Sequence, residues 1–193
     1  MRGFKLSLLA FVLAASAASG GCVPLIVGAG GAAAVGASQE RGIDAALDDN
    51  KIGIEINRRL VEKDADLYNR TSTLISKGRV MLIGYVANER DKQTAARIAG
   101  GVPGVLTLHD ELRIGKDTSF SESANDSLIA SKLRGRLIGD GKIDSVNYSI
   151  KTVRGTVYLM GIAQDQAELS RVISQARSVS GVRDIVSHVE IKS

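Results

Sequence analysis

Sliding the chain against itself by 77 residues aligns Gly78-Arg-Val-Met-Leu-Ile-Gly84 with Gly155-Thr-Val-Tyr-Leu-Met-Gly161 and, without a gap, Gly104-Val105 with Gly181-Val182. In the same register Leu60 falls on Leu137, Ala99 on Ala176 and Ile114 on Ile191. Self-similarity at a fixed period marks a duplicated supersecondary unit, so the chain must fold as two copies of one module. With no tryptophan and only 4% aromatic residues against 44% hydrophobic ones, each core has to be built from Ile, Leu, Val and Ala.

Both copies read in the same order. Ile52, Ile56 and Leu60 stand at helical spacing behind Asp48-Asp-Asn50, and Ser123-Ala-Asn-Asp126 precedes a helix expected to run to about Ile138. Residues of these types cap helix N-termini. Two strands follow, Thr71 to Ser76 with Arg79 to Val86, and Val146 to Val153 with Thr156 to Gly161, each pair joined by a short hairpin turn at Lys77-Gly78 or Arg154-Gly155. A second helix opens at Asn88 or Gln164 and stops at Gly101 or near Gly181, and a last strand covers Val105 to Ile114 or Val182 to Ile191. The order αββαβ predicts an α+β fold: two tandem modules, each a three-stranded mixed sheet with two helices on one face. The module boundaries fall at 42–114 and 123–193, with the polar stretch 115–122 (GKDTSFSE) as linker. Two separate small cores predict modules that unfold semi-independently, so that substituting Gly84 or Gly161 disturbs its own module alone.

The first 21 residues have the anatomy of an export signal, with Arg2 and Lys5 ahead of an apolar stretch that shades into small residues. That stretch is too short for the roughly 20 apolar residues of a membrane span. It ends at Cys22, the one cysteine of the chain, which excludes an intramolecular disulfide. Ser19-Gly-Gly-Cys22 resembles the bacterial lipobox, with Ser19 where Leu is usual, and the resemblance implies a lipid-modified Cys22. By the same likeness to Gram-negative sorting, Val23 in place of Asp implies delivery to the outer membrane. Gly28-Ala-Gly-Gly-Ala-Ala33 matches a dinucleotide-binding turn in isolation, but the mature chain leaves no room for the strand that must precede it. Residues 22–41 therefore read as a flexible tether. Without Arg2 and Lys5 the remaining 23 basic residues face 21 acidic ones, a net charge of +2, which argues against a nucleic-acid binder.

The αββαβ order, the G-x-V-x-L-x-G strand pair seen twice, and the Pro103-Gly-Val105 and Ser180-Gly-Val182 turns before the last strands resemble the BON domain family. The resemblance implies a non-enzymatic outer-membrane lipoprotein that faces the periplasm, associates with anionic phospholipid through its second module and supports envelope integrity. It implies no cofactor, metal or small-molecule substrate. The element it points to is the first helix of that module. At 100° per residue, Ile129, Leu133 and Leu137 form the core ridge, while Leu128 falls off it beside Lys132, Gly135 and Arg136. An apolar side chain among cations suits a bilayer interface, which makes Leu128, Lys132 and Arg136 the candidate phospholipid-binding residues. From the residues alone the plainer reading is that Leu128 packs on the neighbouring module and that Lys132, Arg134 and Arg136 are a solvated face; the resemblance turns the reading toward lipid. A related BON-domain protein carries tryptophan where Leu128 stands.

Catalytic signals are weak. His109 and His188 lie 79 residues apart, out of step with the repeat, and neither has a second His or Cys at metal-ligand spacing. Asp110-Glu111 beside His109 alternate across a strand, so they do not form one acid–base cluster. No nucleophile elbow, phosphate loop or zinc motif is present, and the N-x-[ST] triplets at Asn69, Asn125 and Asn147 are chance matches in a bacterial export context. The competing functional class is an adaptor whose tandem modules dock outer-membrane assembly proteins without touching lipid headgroups.

Overall fold

The computed structural model describes residues 42–193. The first module contains α1 (Gly42–Lys63), the short α2 (Ala65–Arg70), β1 (Thr71–Ser76), β2 (Arg79–Val86), α3 (Glu89–Gly100) and β3 (Thr107–Ile114). The second contains α4 (Phe120–Gly139), a 3₁₀ turn (Ser145–Asn147), β4 (Tyr148–Val153), β5 (Thr156–Ala163), α5 (Gln166–Arg177) and β6 (Asp184–Ile191). In each sheet the middle strand is antiparallel to the strand before it and parallel to the strand after α3 or α5. The mixed sheet and the α+β class are as expected. The short helix α2 was not expected, since six residues are too few for a periodic signal; Asp64 caps it by accepting from the backbone of Asp66 and Leu67.

Both first helices begin earlier than expected, which corrects the capping role given to Asp48-Asp-Asn50 and Ser123-Ala-Asn-Asp126. α4 is capped by Ser119, which forms a reciprocal capping box with Glu122, inside the stretch read as linker. The acids in the helices do something else. Asp49 accepts from the backbone amides of Lys77 and Gly78 at 2.9 and 2.8 Å, and Asp126 accepts from those of Arg154 and Gly155 at 2.7 and 2.8 Å. The hairpin turns have positive φ at both central residues, 51° and 72° in the first and 49° and 77° in the second. That geometry matches the twist of the strands it joins. Each carboxylate is nearly buried and replaces water for two turn amides, so the helix and the hairpin are tied by charge-assisted bonds.

Side chains alternate across the central strands. Val80, Leu82 and Val86 face Ile52, Ile56 and Leu60 of α1 and Ala95 and Ala99 of α3. The second module repeats the arrangement with Val157, Leu159 and Ala163 against Ile129, Leu133 and Leu137 of α4 and Val172 and Ala176 of α5. The opposite faces are apolar too. Met81 and Ile83 meet Val153, Tyr158 and Met160 in a third core between the two sheets, with Leu74, Tyr85 and Val186 at its margin. The modules thus stack sheet on sheet, giving four layers in the order helices, sheet, sheet, helices. This overturns the expectation of semi-independent modules, because each sheet buries its second face only against the other module.

Candidate functional site

α4 is amphipathic in an unusual sense. Its inner ridge of Ile129, Ala130, Leu133 and Leu137 is buried, yet its outer side also carries large apolar residues: Phe120, Leu128 and Ile138 are 90, 59 and 73% exposed. Leu128 stands outside all three cores. Lys132 and Arg136 are exposed beside it, one and two turns further on. Arg136 donates to the Ser178 hydroxyl at the end of α5, whereas Lys132 has no ion-pair or hydrogen-bond partner among the described residues. The structure therefore brings Leu128, Lys132 and Arg136 onto one solvent-facing strip. The lipidation candidate Cys22 lies outside the described residues.

The repeat supplies an internal control. In the 77-residue register, Leu128, Lys132 and Arg136 occupy the places of Lys51, Glu55 and Arg59 in α1. Glu55 accepts from Arg58 and Arg59 at 2.7 Å each. Hydrogen bonds from Arg58 and then Arg59 hold its carboxyl down to about 2. The strip on α1 is self-neutralised. On α4 the acid is replaced by a lysine and the lysine by a leucine, so one copy of the module has gained both an apolar contact and uncompensated positive charge.

A second cluster lies between the sheets. His109 and His188 come together with ring centroids 4.0 Å apart, and His188 Nε2 lies 2.9 Å from Glu111 Oε1. Arg79 bonds the His188 carbonyl at 2.8 Å and Glu190 at 3.2 Å. The expectation that each histidine merely decorates its own last strand is corrected: sheet stacking joins them. The missed signal was that Glu111, not His109, stands 77 residues before His188, so repeat-equivalent positions meet across the interface. Among the described residues no group of three or more His, Cys, Asp or Glu is placed to hold a metal ion. Burial, followed by the charges of His188 and Arg79, holds His109 below its ordinary 6.5, against the opposing pull of Glu111 and Glu190. The unfolded chain therefore takes up a proton near pH 6.5 that the native state still refuses, and stability is lost as pH falls from 6.5 toward the native value. Urea midpoints are expected to drop between about pH 7.5 and about pH 5.5. His109→Val, which installs the residue of the equivalent position Val186, should flatten that dependence; equal slopes in the two proteins would remove His109 as the cause.

A tandem pair of αββαβ modules with stacked sheets and a cationic-apolar first helix in the second copy defines a class of two-module α+β proteins. The BON domain matches residues 48–116 and 125–193, and the chain belongs to the BON domain family. The outer membrane lipoprotein DolP of Haemophilus influenzae is 32% identical over 181 residues, covering 92% of both chains. The "Uncharacterized protein in gshII 5'region" of Anaplasma centrale is 38% identical over 147 residues, 76% of this chain and 96% of that one. Osmotically-inducible protein Y of Escherichia coli is 28% identical over 148 residues, 76% of this chain and 74% of that one. The protein is thus a BON-domain relative of non-enzymatic envelope proteins.

Proposed function

We propose that the protein is an outer-membrane lipoprotein, anchored through Cys22 on the periplasmic face, whose second module docks on anionic phospholipid through the outer strip of α4 and so supports envelope integrity. The observation that carries this reading is the exchange of Lys51 and Glu55 for the exposed Leu128 and Lys132 at equivalent places. Leu128 enters the acyl boundary while Lys132 and Arg136 meet lipid phosphates. Kinship with an outer membrane lipoprotein supports the location.

The test is co-sedimentation of residues 23–193 with phosphatidylglycerol vesicles and with zwitterionic ones. Leu128→Glu removes the apolar contact and brings a negative charge to an anionic surface. Lys132→Glu exchanges a contribution of about 1 kcal/mol for a comparable repulsion, which weakens binding roughly tenfold or more. Added salt should weaken binding as well, since the attraction is screened over about 8 Å at physiological strength. Leu128→Trp should bind more tightly, because an indole suits the interface. Equal binding by the parent and Leu128→Glu, or indifference to lipid charge, would leave the protein-adaptor reading in its place.

A further inference from the structure

On the flank of α4 away from Lys132 and Arg136, where the end of α2 and the start of β1 meet α4 and β4, lies a groove of about 480 Å³. Arg70, Arg134 and Lys151 line it together with Ser131, Thr152, whose hydroxyl is turned away from solvent, and Ser127, whose hydroxyl donates to the Ser123 carbonyl at 2.9 Å. Of its two acids, Asp126 gives both oxygens to the hairpin amides, and Asp117 accepts from the Thr118 backbone with one oxygen at 2.8 Å. The cations have donors to spare. Arg70 uses Nε on Asp66 at 2.7 Å and Arg134 uses one Nη on the Ile150 carbonyl at 2.9 Å, so most of the five N–H groups of each guanidinium remain. Lys151 has no partner among the described residues. Thr152 is 5% exposed, and its hydroxyl has no hydrogen-bond partner there either.

The first module lacks this chemistry. In the repeat register Ser131, Arg134, Lys151 and Thr152 replace Ile54, Asn57, Leu74 and Ile75. Three of these exchanges, at 131, 134 and 151, bring a hydroxyl and two cations to one cavity at the junction of the modules. Guanidinium groups pair with the oxygens of a phosphate in a fork, and the ammonium adds a point charge. The Ser131 hydroxyl can both donate and accept, and the Ser127 hydroxyl can still accept, which suits the hydroxyls of a polyol. We propose that this groove binds a phosphorylated polyol, either as a soluble phosphoester or as the headgroup of a glycerophospholipid. It is lined by neither Leu128 nor Lys132 nor Arg136, so it stands apart from the outer strip of α4.

The experiment is a titration of ¹⁵N-labelled residues 23–193 with glycerol phosphate, using glycerol as the uncharged control. Saturable shifts are expected at the amides of Ser131, Lys151 and Thr152, with no comparable response to glycerol. Lys151→Gln and Arg134→Gln should each weaken binding about tenfold, the scale of one charge-assisted hydrogen bond, with circular dichroism unchanged. Leu128→Glu should bind glycerol phosphate as the parent does even where it loses vesicles, which separates this site from the membrane-docking reading. Displacement of the parent from phosphatidylglycerol vesicles by glycerol phosphate assigns the groove to a headgroup; saturable binding without displacement assigns it to a soluble ester. Shifts that rise linearly without saturation, that gather at Lys132 and Arg136, or that survive Lys151→Gln undiminished overturn the site.

Discussion

Ile83→Asp is expected to unfold both modules together, although the substitution lies in the first. Ile83 is fully buried between the sheets against Met81, Tyr158 and Met160, each at most 1% exposed. Removing a buried isoleucine costs roughly 1.5–3 kcal/mol of transfer free energy, and a carboxylate left unpaired in that layer adds several more. Against a typical total stability of about 5–15 kcal/mol, the sum is enough to populate the unfolded state. The decisive point is where the damage spreads. Tyr158 and Met160 lie on β5, the central strand of the second module, and lose their cover at the same time. Hydrogen exchange should therefore show β2 and β5 losing protection together, with a single urea transition at a much lower midpoint. Retained protection in β5 alongside loss in β2 would restore the picture of independent modules. An aspartate at Leu128, an exposed position, should leave the midpoint almost unchanged.

That inter-sheet core was written in the residues but was not read from them. Val80-Met-Leu-Ile83 and Val157-Tyr-Leu-Met160 are unbroken apolar runs, where a strand with one wet face would alternate. With both helices on one side, Met81, Ile83, Tyr158 and Met160 needed a cover on the other, and the second copy of the module was the surface available to provide it. The strands and their hairpin turns were legible because the apolar runs and the Lys-Gly and Arg-Gly turns between them are local signals. The helix starts were misplaced because Asp49 and Asp126 are types that cap helices, and only the fold brings their carboxylates against a hairpin 28 residues away. The same distinction governs the sites. Leu128, Lys132 and Arg136 share one helix, so helical geometry groups them. The groove draws Arg70 from one module and Lys151 from the other, and the repeat register shows only that positions 131, 134, 151 and 152 have changed character, not that they converge.

Cys22→Ala is expected to move the protein from the membrane fraction to the soluble periplasm, the largest redistribution any single substitution here should cause. A diacylglyceryl thioether on the sulfur, joined by an N-acyl chain, buries several dozen methylene groups at about 0.8 kcal/mol each, and two chains already suffice for stable anchoring. The outer strip of α4 works on a different scale. Lys132 and Arg136 contribute about 1 kcal/mol apiece near an anionic surface, and Leu128 adds at most the transfer of one side chain, roughly 1.5–3 kcal/mol. Such a contact gives weak, reversible binding, measurable with excess vesicles but far short of the hold of the acyl chains. In the proposed arrangement the anchor would supply local concentration, and the strip would then orient a molecule already at the bilayer. The two substitutions must therefore differ in kind. Leu128→Glu with Cys22 intact should stay in the membrane fraction, its defect visible only in vesicle binding by the unlipidated chain, whereas Cys22→Ala should leave the membrane with α4 unaltered. Fractionation of cells fed labelled palmitate measures both at once: a Cys22→Ala protein that remains wholly with membranes, or a parent that takes up no label, would reject the acyl anchor and require the α4 strip or a protein partner to do the holding.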